Sequence, residues 1–475
     1  MSPNEDDLME TISSLPYSYD VNSTVKDAKE GFFEGKAVAL SIAGRITAIR
    51  KSGKVIFMDV MDSTGKMQCF FDFKTLGDGC FQKLKAMNAG DIIGVKGDAF
   101  KTNAGEVSIN VAYFALLSKA VRVLPNTWYG LKDVELRYRK RYLDLIINPD
   151  VRDIFVKRSR IVSVIREYLD DEGFMEFETP TIQPLYGGAE AEPFKVFVNA
   201  LGEEDYLRIS NELYLKRLII GGFEKVYEIY RAFRNEDIDT THSPEFTMIE
   251  WYCAYADYET MMGMTETLLE KISWRLYNSD SVASHAGGIS FKPPFKRIKY
   301  TESINSKLGS DILSMDDESL FSEVEKRGIT LEPGKRNRAH AYDKLFSLLV
   351  QPELIQPTFV IDFPKETSAL TRGKRGDSRL VERFELYISG IEIANSYSEL
   401  NNPIIQRRNF EEQMERFEEG DKEAEPLDMD FVEAMEYGMP PTGGIGIGID
   451  RLVMVFTGQS SIKEVILFPM KRREG

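Results

Sequence analysis

Cysteine and histidine are scarce in this chain. The three cysteines, Cys69, Cys80 and Cys253, and the three histidines, His242, His285 and His340, show no CxxC or HExxH spacing. That absence argues against a disulfide framework or a zinc site. No uninterrupted apolar run approaches the ~20 residues a membrane helix needs, so no membrane partner is expected. The N-terminus, Met1-Ser2-Pro3-Asn4-Glu5-Asp6-Asp7, is acidic and polar. A secretory signal begins with basic residues and continues with an apolar stretch, so a cytoplasmic location is expected. Positive charge is also short: the net charge is -16, which weighs against a protein coated in nucleic acid. Any RNA contact must therefore use local basic strings, and two occur, Arg45-Ile46-Thr47-Ala48-Ile49-Arg50-Lys51 and Arg137-Tyr138-Arg139-Lys140-Arg141.

What is present is enough for a large enzyme. The 475 residues, 43% hydrophobic and 29% charged, suit two or three domains. After an N-terminal extension over 1–35, residues 36–120 carry short strand-like runs, including Val55–Val60 and Lys66–Phe71, with a hairpin turn at Asp62-Ser63-Thr64-Gly65. A small all-β barrel fits, and the OB-fold is one such barrel that binds single-stranded nucleic acid. Residues 121–145 read as a polar, aromatic and basic linker. From 146 to 475 long helices alternate with strands, which predicts a larger α+β domain; within it, 300–345 is charged, helical in period and resembles an insertion.

Three stretches gather chemically useful groups. In the first, Val226–Glu236 and Glu245–Tyr252 read as two strands. Alternation puts Glu228, Arg234 and Glu236 on one face, and Phe246, Glu250 and Tyr252 on one face of the next strand. In the second, Ser389-Gly390 is a hairpin turn signal. Phe384, Leu386, Ile388, Ile391 and Ile393 then share one face while Glu385 and Glu392 share the other. Pairing makes those glutamates diagonal neighbours, roughly 7–8 Å apart between backbones, a spacing at which two carboxylates can hold Mg²⁺ against phosphates. In the third, glycine and isoleucine alternate from Gly444 to Ile449. A strand there buries the isoleucines and leaves a flat glycine face that a planar ligand can approach. The pattern is neither GxxxxGK[ST] nor GxGxxG, so P-loop and Rossmann readings fail. Arg451 follows where an apolar helix should start, and could supply charge to a phosphate.

Together with Gly173–Pro180, these stretches resemble the motifs of class II aminoacyl-tRNA synthetases. Gly173-Phe174-Met175-Glu176-Phe177-Glu178-Thr179-Pro180 resembles motif 1, Phe233-Arg234-Asn235-Glu236 with Glu245-Phe246 resembles motif 2, and Gly446-Ile447-Gly448-Ile449-Asp450-Arg451 resembles motif 3. Four longer strings, Tyr138–Leu145, Glu212–Leu218, Ala254–Tyr258 and Glu436–Thr442, are similar to lysyl-tRNA synthetases in particular. The resemblance runs from about residue 36 to residue 473. It implies a homodimer with an OB-fold anticodon-binding domain and a catalytic domain built on a central antiparallel sheet flanked by helices. It further implies ATP, L-lysine and tRNA(Lys) as substrates, and Mg²⁺ as cofactor.

Carried over residue by residue, the resemblance implies that Arg234 binds the α-phosphate, Arg451 the γ-phosphate, and that Phe246 stacks on adenine opposite Arg451. Glu236 would contact adenine, His242 the triphosphate tail, and Glu385 and Glu392 would ligate Mg²⁺. Glu250, Tyr252 and Glu399 match the positions around the lysine side-chain ammonium and Glu212 the one at its α-amino group, with Gly188, Asn395 and Tyr397 completing that pocket. In the barrel, Phe57 would stack on an anticodon base and Gln68 would hydrogen-bond one. Two departures bear on pocket geometry: Ser210-Asn211 stands where lysyl enzymes commonly show Ala-Pro, and Ser243 where many have Asn. An aspartyl- or asparaginyl-tRNA synthetase remains an alternative, as does a synthetase-like ligase acting on a non-tRNA acceptor. A site for aspartate would need a cation in place of Glu250 or Glu399.

Overall fold

A computed structural model describes residues 5–33, 39–125, 130–284, 287–331, 336–418 and 426–472. His285 and parts of the N-terminal extension and linker lie outside the described residues. The chain divides into two compact units, Met1–Arg137 with Tyr142–Asn148, and Tyr138–Arg141 with Pro149–Gly475.

The first unit is built on five strands, β1 (Ala39–Ser52), β2 (Val55–Met61), β3 (Lys66–Asp72), β4 (Ile92–Lys101) and β5 (Val107–Ser118). They close into the expected barrel in the order β1-β2-β3-β5-β4. Closure requires β1 to turn a corner. It pairs with β4 over Ala39–Arg45 and with β2 over Arg45–Ser52, with a bulge between Ile46 and Ala48. Gly44 lies at that corner, where a Cβ would come within 2.5 Å of the Met61 carbonyl oxygen. Alternation then buries Ile42, Ile46, Met58, Val60, Cys69 and Phe71 in the barrel interior. The Asp62–Gly65 turn forms as expected, closed by the Asp62 N–H donating to the Gly65 carbonyl at 3.0 Å.

Four arginines of the two basic strings have partners within their own unit. Arg50 donates to Asp59 at 2.9 Å and Arg45 to the Gly90 carbonyl at 2.8 Å. Arg137 pairs with Asp144 at 3.0 Å. Arg141 is completely buried and donates to the carbonyls of Lys463 and Leu467 at 2.8 and 3.0 Å. Arg141 is thereby withdrawn from any RNA-facing surface, whereas the Arg50 side chain stays 52% exposed.

Among the described residues the second unit holds fourteen further strands: β6 (Met175–Glu176), β7 (Ile182–Gln183), β8 (Lys195–Val198), β9 (Glu203–Leu207), β10 (Lys225–Phe233), β11 (Glu245–Ala254), β12 (Ser281–Ser284), β13 (Gly287–Ser290), β14 (Lys296–Lys299), β15 (Thr358–Pro364), β16 (Gly373–Lys374), β17 (Asp377–Ile388), β18 (Ile391–Ser398) and β19 (Thr442–Gly448). The central sheet runs β14-β15-β17-β18-β19-β11-β10-β6, with β16 on β17. Only the β6–β10 and β14–β15 pairings are parallel; every other pairing within it is antiparallel. This is the α+β arrangement read from the sequence. Helices Pro149–Asp171, Tyr258–Tyr277 and Ile449–Thr457 cover one face, packing Ile165, Met261 and Leu452 against Trp251, Phe384 and Ile447. The other face is left for polar groups.

The segment expected to be an insertion has a structural task. Helices Tyr300–Leu308, Asp317–Glu325 and Arg338–Leu349 connect β14 to β15, which lie parallel. Parallel neighbours need a long crossover. These helices provide it, and they bury Ile304, Leu320 and Leu345 with Val360 and Phe363 of β15 in one apolar cluster.

Candidate active site

The uncovered face of the central sheet carries a cleft of ≈ 360 Å³, within the range of small-molecule sites. Its floor is the glycine–isoleucine strand β19. Ile445 and Ile447 are buried in the core on one side, while Gly444, Gly446 and Gly448 line the cleft on the other. The expected flat glycine face is therefore real. Its closest approach is at Gly444, where a Cβ would fall 2.2 Å from Glu399 Oε1 and 2.3 Å from Tyr252 Cε1.

Strands β10 and β11 pair in register from Lys225↔Cys253 to Phe233↔Glu245. Phe246, Met248, Glu250 and Tyr252 alternate into the cleft from β11. The expected single face on the first strand does not extend as far as Glu236, because β10 ends at Phe233. Arg234 and Glu236 line the cleft from the following loop instead. Glu228 lies opposite Glu250, but its carboxylate accepts from Arg208 and Asn211, each at 2.7 Å, and is absent from the cleft lining. The two like charges are tolerated because each has its own donors.

One end of the cleft gathers Glu212, Glu250 and Glu399, all buried. Glu250 accepts hydroxyl protons from Tyr230 at 2.5 Å, Tyr252 at 3.0 Å and Ser210 at 3.1 Å. Burial, reinforced by Glu212, still pushes its carboxyl up to about 7. Glu399 is 1% exposed and, apart from an ion pair with Lys216, its oxygens receive no hydrogen bond among the described residues. Burial raises it to about 8 against the opposing pull of Lys216. Gly188 has φ +82°, and a Cβ there would lie 2.9 Å from both the Glu212 Cβ and the Ser210 Oγ. Asn395 donates to the Tyr397 hydroxyl at 3.0 Å, and both line the cleft.

The opposite end is cationic. Arg451, in the first turn of the helix Ile449–Thr457, donates to the Glu392 carbonyl at 3.1 Å and to its carboxylate at 3.3 Å. It also lies 2.9 Å from His242 Nε2. A guanidinium can only donate, so His242 Nε2 accepts and the ring proton resides on Nδ1, facing Asp239 Oδ2 at 2.8 Å. Burial works against ionisation of Asp239, yet the Thr241 N–H and the His242 ring outweigh it and hold Asp239 down at about 2. The Arg234 guanidinium covers the Phe246 ring at 5.2 Å, and its Nε is buried without a protein acceptor among the described residues. A buried unpaired donor of this kind is costly unless a ligand supplies the acceptor.

Glu392 lines the cleft, whereas Glu385 does not. The turn at Ser389-Gly390 forms with both residues at positive φ (54° and 74°), and Tyr387 pairs with Glu392, making Glu385 its diagonal neighbour as expected. However, Glu385 accepts from Arg383 at 2.5 Å and from the Tyr387 hydroxyl at 2.6 Å, and it is 8% exposed. Burial raises its carboxyl to about 7 despite Arg383. Among the described residues no group of three or more Asp, Glu, His or Cys could hold a metal alone. Glu392 presents a hard oxygen donor of the kind Mg²⁺ takes, whereas both oxygens of Glu385 are engaged by Arg383 and Tyr387.

Several contributors were missed in the sequence. Arg383 lines the cleft and donates to Asn395 Oδ1 at 3.1 Å; its place two residues before Glu385 was the available signal. The departure at Ser210-Asn211 is absorbed by new bonds: Ser210 Oγ donates to Glu250 and accepts from the Glu212 N–H at 3.1 Å, and Asn211 donates to Glu228. Ser243 lines the cleft. Asp450 anchors the third motif, accepting from Arg158 and from the Thr247 N–H, each at 2.6 Å. Phe57 and Gln68 belong to the barrel unit. Phe57 faces Phe70 with ring centroids 5.3 Å apart, Phe70 faces Phe100 at 5.9 Å, and Gln68 Oε1 accepts from Ser108 at 3.2 Å.

Comparison with known proteins agrees with this geometry. Residues 133–472 match the family described as tRNA synthetases class II (D, K and N), and residues 40–117 match the OB-fold nucleic acid binding domain. A "Lysine--tRNA ligase 2" of Methanosarcina acetivorans is 47% identical, covering 98% of this chain and 91% of that protein. A "Lysine--tRNA ligase 2" of Methanosarcina mazei is 48% identical over 98% of this chain and 91% of its own. A "Lysine--tRNA ligase" of Methanospirillum hungatei is 50% identical over 91% and 86%. With the second and third motif stretches lining its cleft and family matches along both units, the chain belongs to the class II tRNA synthetases of the D, K and N group.

Proposed function

We propose that this chain is a lysine–tRNA ligase: it activates L-lysine with ATP and transfers it to the 3′ end of tRNA(Lys). The observation that carries the choice of amino acid is the cluster of three buried carboxylates, Glu212, Glu250 and Glu399, at one end of a cleft whose other end holds Arg234 and Arg451. A buried ammonium is tolerable only with ionic partners and satisfied hydrogen bonds. Glu399 and Glu250 with Tyr252 supply these for the side chain, and Glu212 beside Gly188 supplies one for the α-amino group. Asn395 and Tyr397 close the pocket wall. Aspartate would meet three carboxylates with its own, which disfavours the aspartyl and asparaginyl alternatives.

The lysine carboxylate attacks the α-phosphorus of ATP, forming lysyl-adenylate and releasing pyrophosphate. A terminal ribose hydroxyl of the tRNA then takes the lysyl group and releases AMP. The nucleophile of the first step is already ionised, so positioning and charge neutralisation dominate. The unpaired Nε of Arg234 suits an α-phosphate oxygen, and Arg451, braced by His242, suits the γ-phosphate. Adenine enters over Phe246 as Arg234 leaves its ring for phosphate, with Glu236 beside it. Glu392 would hold Mg²⁺, joined by Glu385 if its carboxylate is released from Arg383 and the Tyr387 hydroxyl; when bound the ion neutralises the phosphates.

Lysine is expected to be the one amino acid in a standard panel that supports ATP–pyrophosphate exchange and, with tRNA transcripts, charging of tRNA(Lys). Exchange driven by aspartate or asparagine would overturn the reading. The barrel is assigned the anticodon, with Phe57 as a stacking platform and Gln68 as a hydrogen-bonding group. Base–aromatic stacking is worth ~1–3 kcal/mol, so Phe57→Ala is expected to raise KM for tRNA about tenfold. Exchange without tRNA should stay unchanged in that variant; equal loss in both assays would contradict the assignment. A homodimer in the cytoplasm belongs to the same reading, and sedimentation of the purified chain tests the dimer.

A further inference from the structure

Lys216 stands one helical turn after Glu212 in the helix Glu212–Ile220 and is 1% exposed. Its ammonium touches Glu212 Oε1 and Glu399 Oε2, the carboxylates assigned above to the two ammonium groups of the substrate. It lies 5.9 Å from the centre of the Tyr252 ring. Lys216 itself is absent from the cleft lining, while both of its partners are in it. The cation therefore backs the pocket wall and leaves the remaining faces of both carboxylates to a ligand.

Charge matching explains why a site built to take lysine should carry a lysine of its own. Glu212, Glu250 and Glu399 present three carboxylates once incoming ammonium groups ionise them, and Lys216 cancels one. The remainder equals the α-ammonium and side-chain ammonium of free lysine, whose carboxylate is directed toward the arginine end. We propose that Lys216 is a positioning residue for the amino acid, holding Glu212 and Glu399 side by side and setting the pocket to receive two ammonium groups. This rests on the lysine reading of the cleft.

The groups facing this pair come from every neighbouring strand. Glu250 and Tyr252 face it from β11, Tyr230 from β10 through Glu250, Tyr397 from β18, and Arg383 from β17 through Tyr397. Arg234 and Arg208 reach the cluster through Tyr230, and Arg383 through Tyr397; among the described residues Lys216 is the cation that pairs directly with Glu212 and Glu399. Burial alone would lower the Lys216 ammonium, but Glu212 and Glu399 outweigh it and hold it above the ordinary lysine range. Lys216 pulls Glu399 down; without it Glu399 ionises only at higher pH, and lysine binding is lost sooner as pH falls.

The test is steady-state ATP–pyrophosphate exchange with the full chain across pH. Lys216→Met keeps an unbranched chain without its charge. Its KM for lysine is expected to rise roughly tenfold near neutral pH, with kcat and the KM for ATP changed far less. The pH below which lysine KM climbs should move up by about one unit. Lys216→Arg, which retains the charge, is expected to keep that pH where the unaltered enzyme has it. Lysine KM and pH profile unchanged in Lys216→Met, with only thermal stability reduced, would show a packing role and overturn the proposal. If Lys216→Met does not fold, Lys216→Arg decides: an unmoved profile supports the proposal and a displaced one overturns it. Absence of lysine-dependent exchange in the unaltered enzyme would instead sink the lysine reading itself.

Discussion

Glu399→Gln is expected to lower kcat/KM for lysine by on the order of a hundredfold or more. Glu399 is 1% exposed, lines the cleft and has Lys216 as its ion-pair partner. An amide cannot pair with an ammonium, and it would leave both Lys216 and the incoming substrate without a charge they were built around. Breaking a buried ion pair costs ~3–5 kcal/mol, and each ~1.4 kcal/mol is tenfold in rate. The KM for ATP should change little, because Arg234, His242 and Arg451 are untouched. Unchanged lysine-dependent exchange in this variant would remove Glu399 from the site.

Gly444→Ala is expected to cause a loss of similar size by geometry alone. The added methyl would meet Glu399 Oε1 at 2.2 Å and Tyr252 Cε1 at 2.3 Å. Neither can move freely: Glu399 is held by Lys216, and the Tyr252 hydroxyl donates to Glu250 at 3.0 Å. A displacement of about 1 Å in such a site can cost on the order of a hundredfold. Gly446→Ala is the control on the same strand. Its methyl meets Met248 Cε, the end of a flexible side chain, at 3.1 Å and Glu250 Cγ at 3.4 Å. Because Met adapts its shape easily, the lysine kcat/KM should fall less than about tenfold. Equal losses in the two variants, with native circular dichroism in both, would refute the claim that Gly444 shapes the amino-acid end.

Much of the site was legible because it is written in local periodicity. Alternating Gly and Ile over Gly444–Ile449 can bury only the isoleucines if it forms a strand, and Ser389-Gly390 can reverse the chain because both residues adopt positive φ. The apolar sets around that turn, Phe384, Leu386, Ile388 and Ile393, are found in the core where alternation placed them. The same logic failed at Arg234 and Glu236, where the strand had already ended. Nor does charge composition reveal that Arg141, within one of the basic strings, is spent on buried carbonyls.

Alternation alone would set Glu392 on the face opposite to Asn395, Tyr397 and Glu399. The tertiary structure reverses this with one bulge: Tyr387 pairs with Glu392, but Leu386 pairs with Ala394, so β18 carries an extra residue. Both Ile393 and Ala394 are buried, and the cleft phase shifts by one. That single residue brings Glu392 onto one surface with Asn395, Tyr397 and Glu399. By itself the sequence determined the strands, the turns, the glycine floor and the order of the motifs, because these depend on side-chain period and backbone freedom over a few neighbours. Only the tertiary structure decided that Glu385 is covered by Arg383, that Lys216 stands behind Glu212 and Glu399, and that Ser210 bonds Glu250. Those facts depend on which buried charges find partners from distant segments, and desolvation makes that pairing a property of the whole fold.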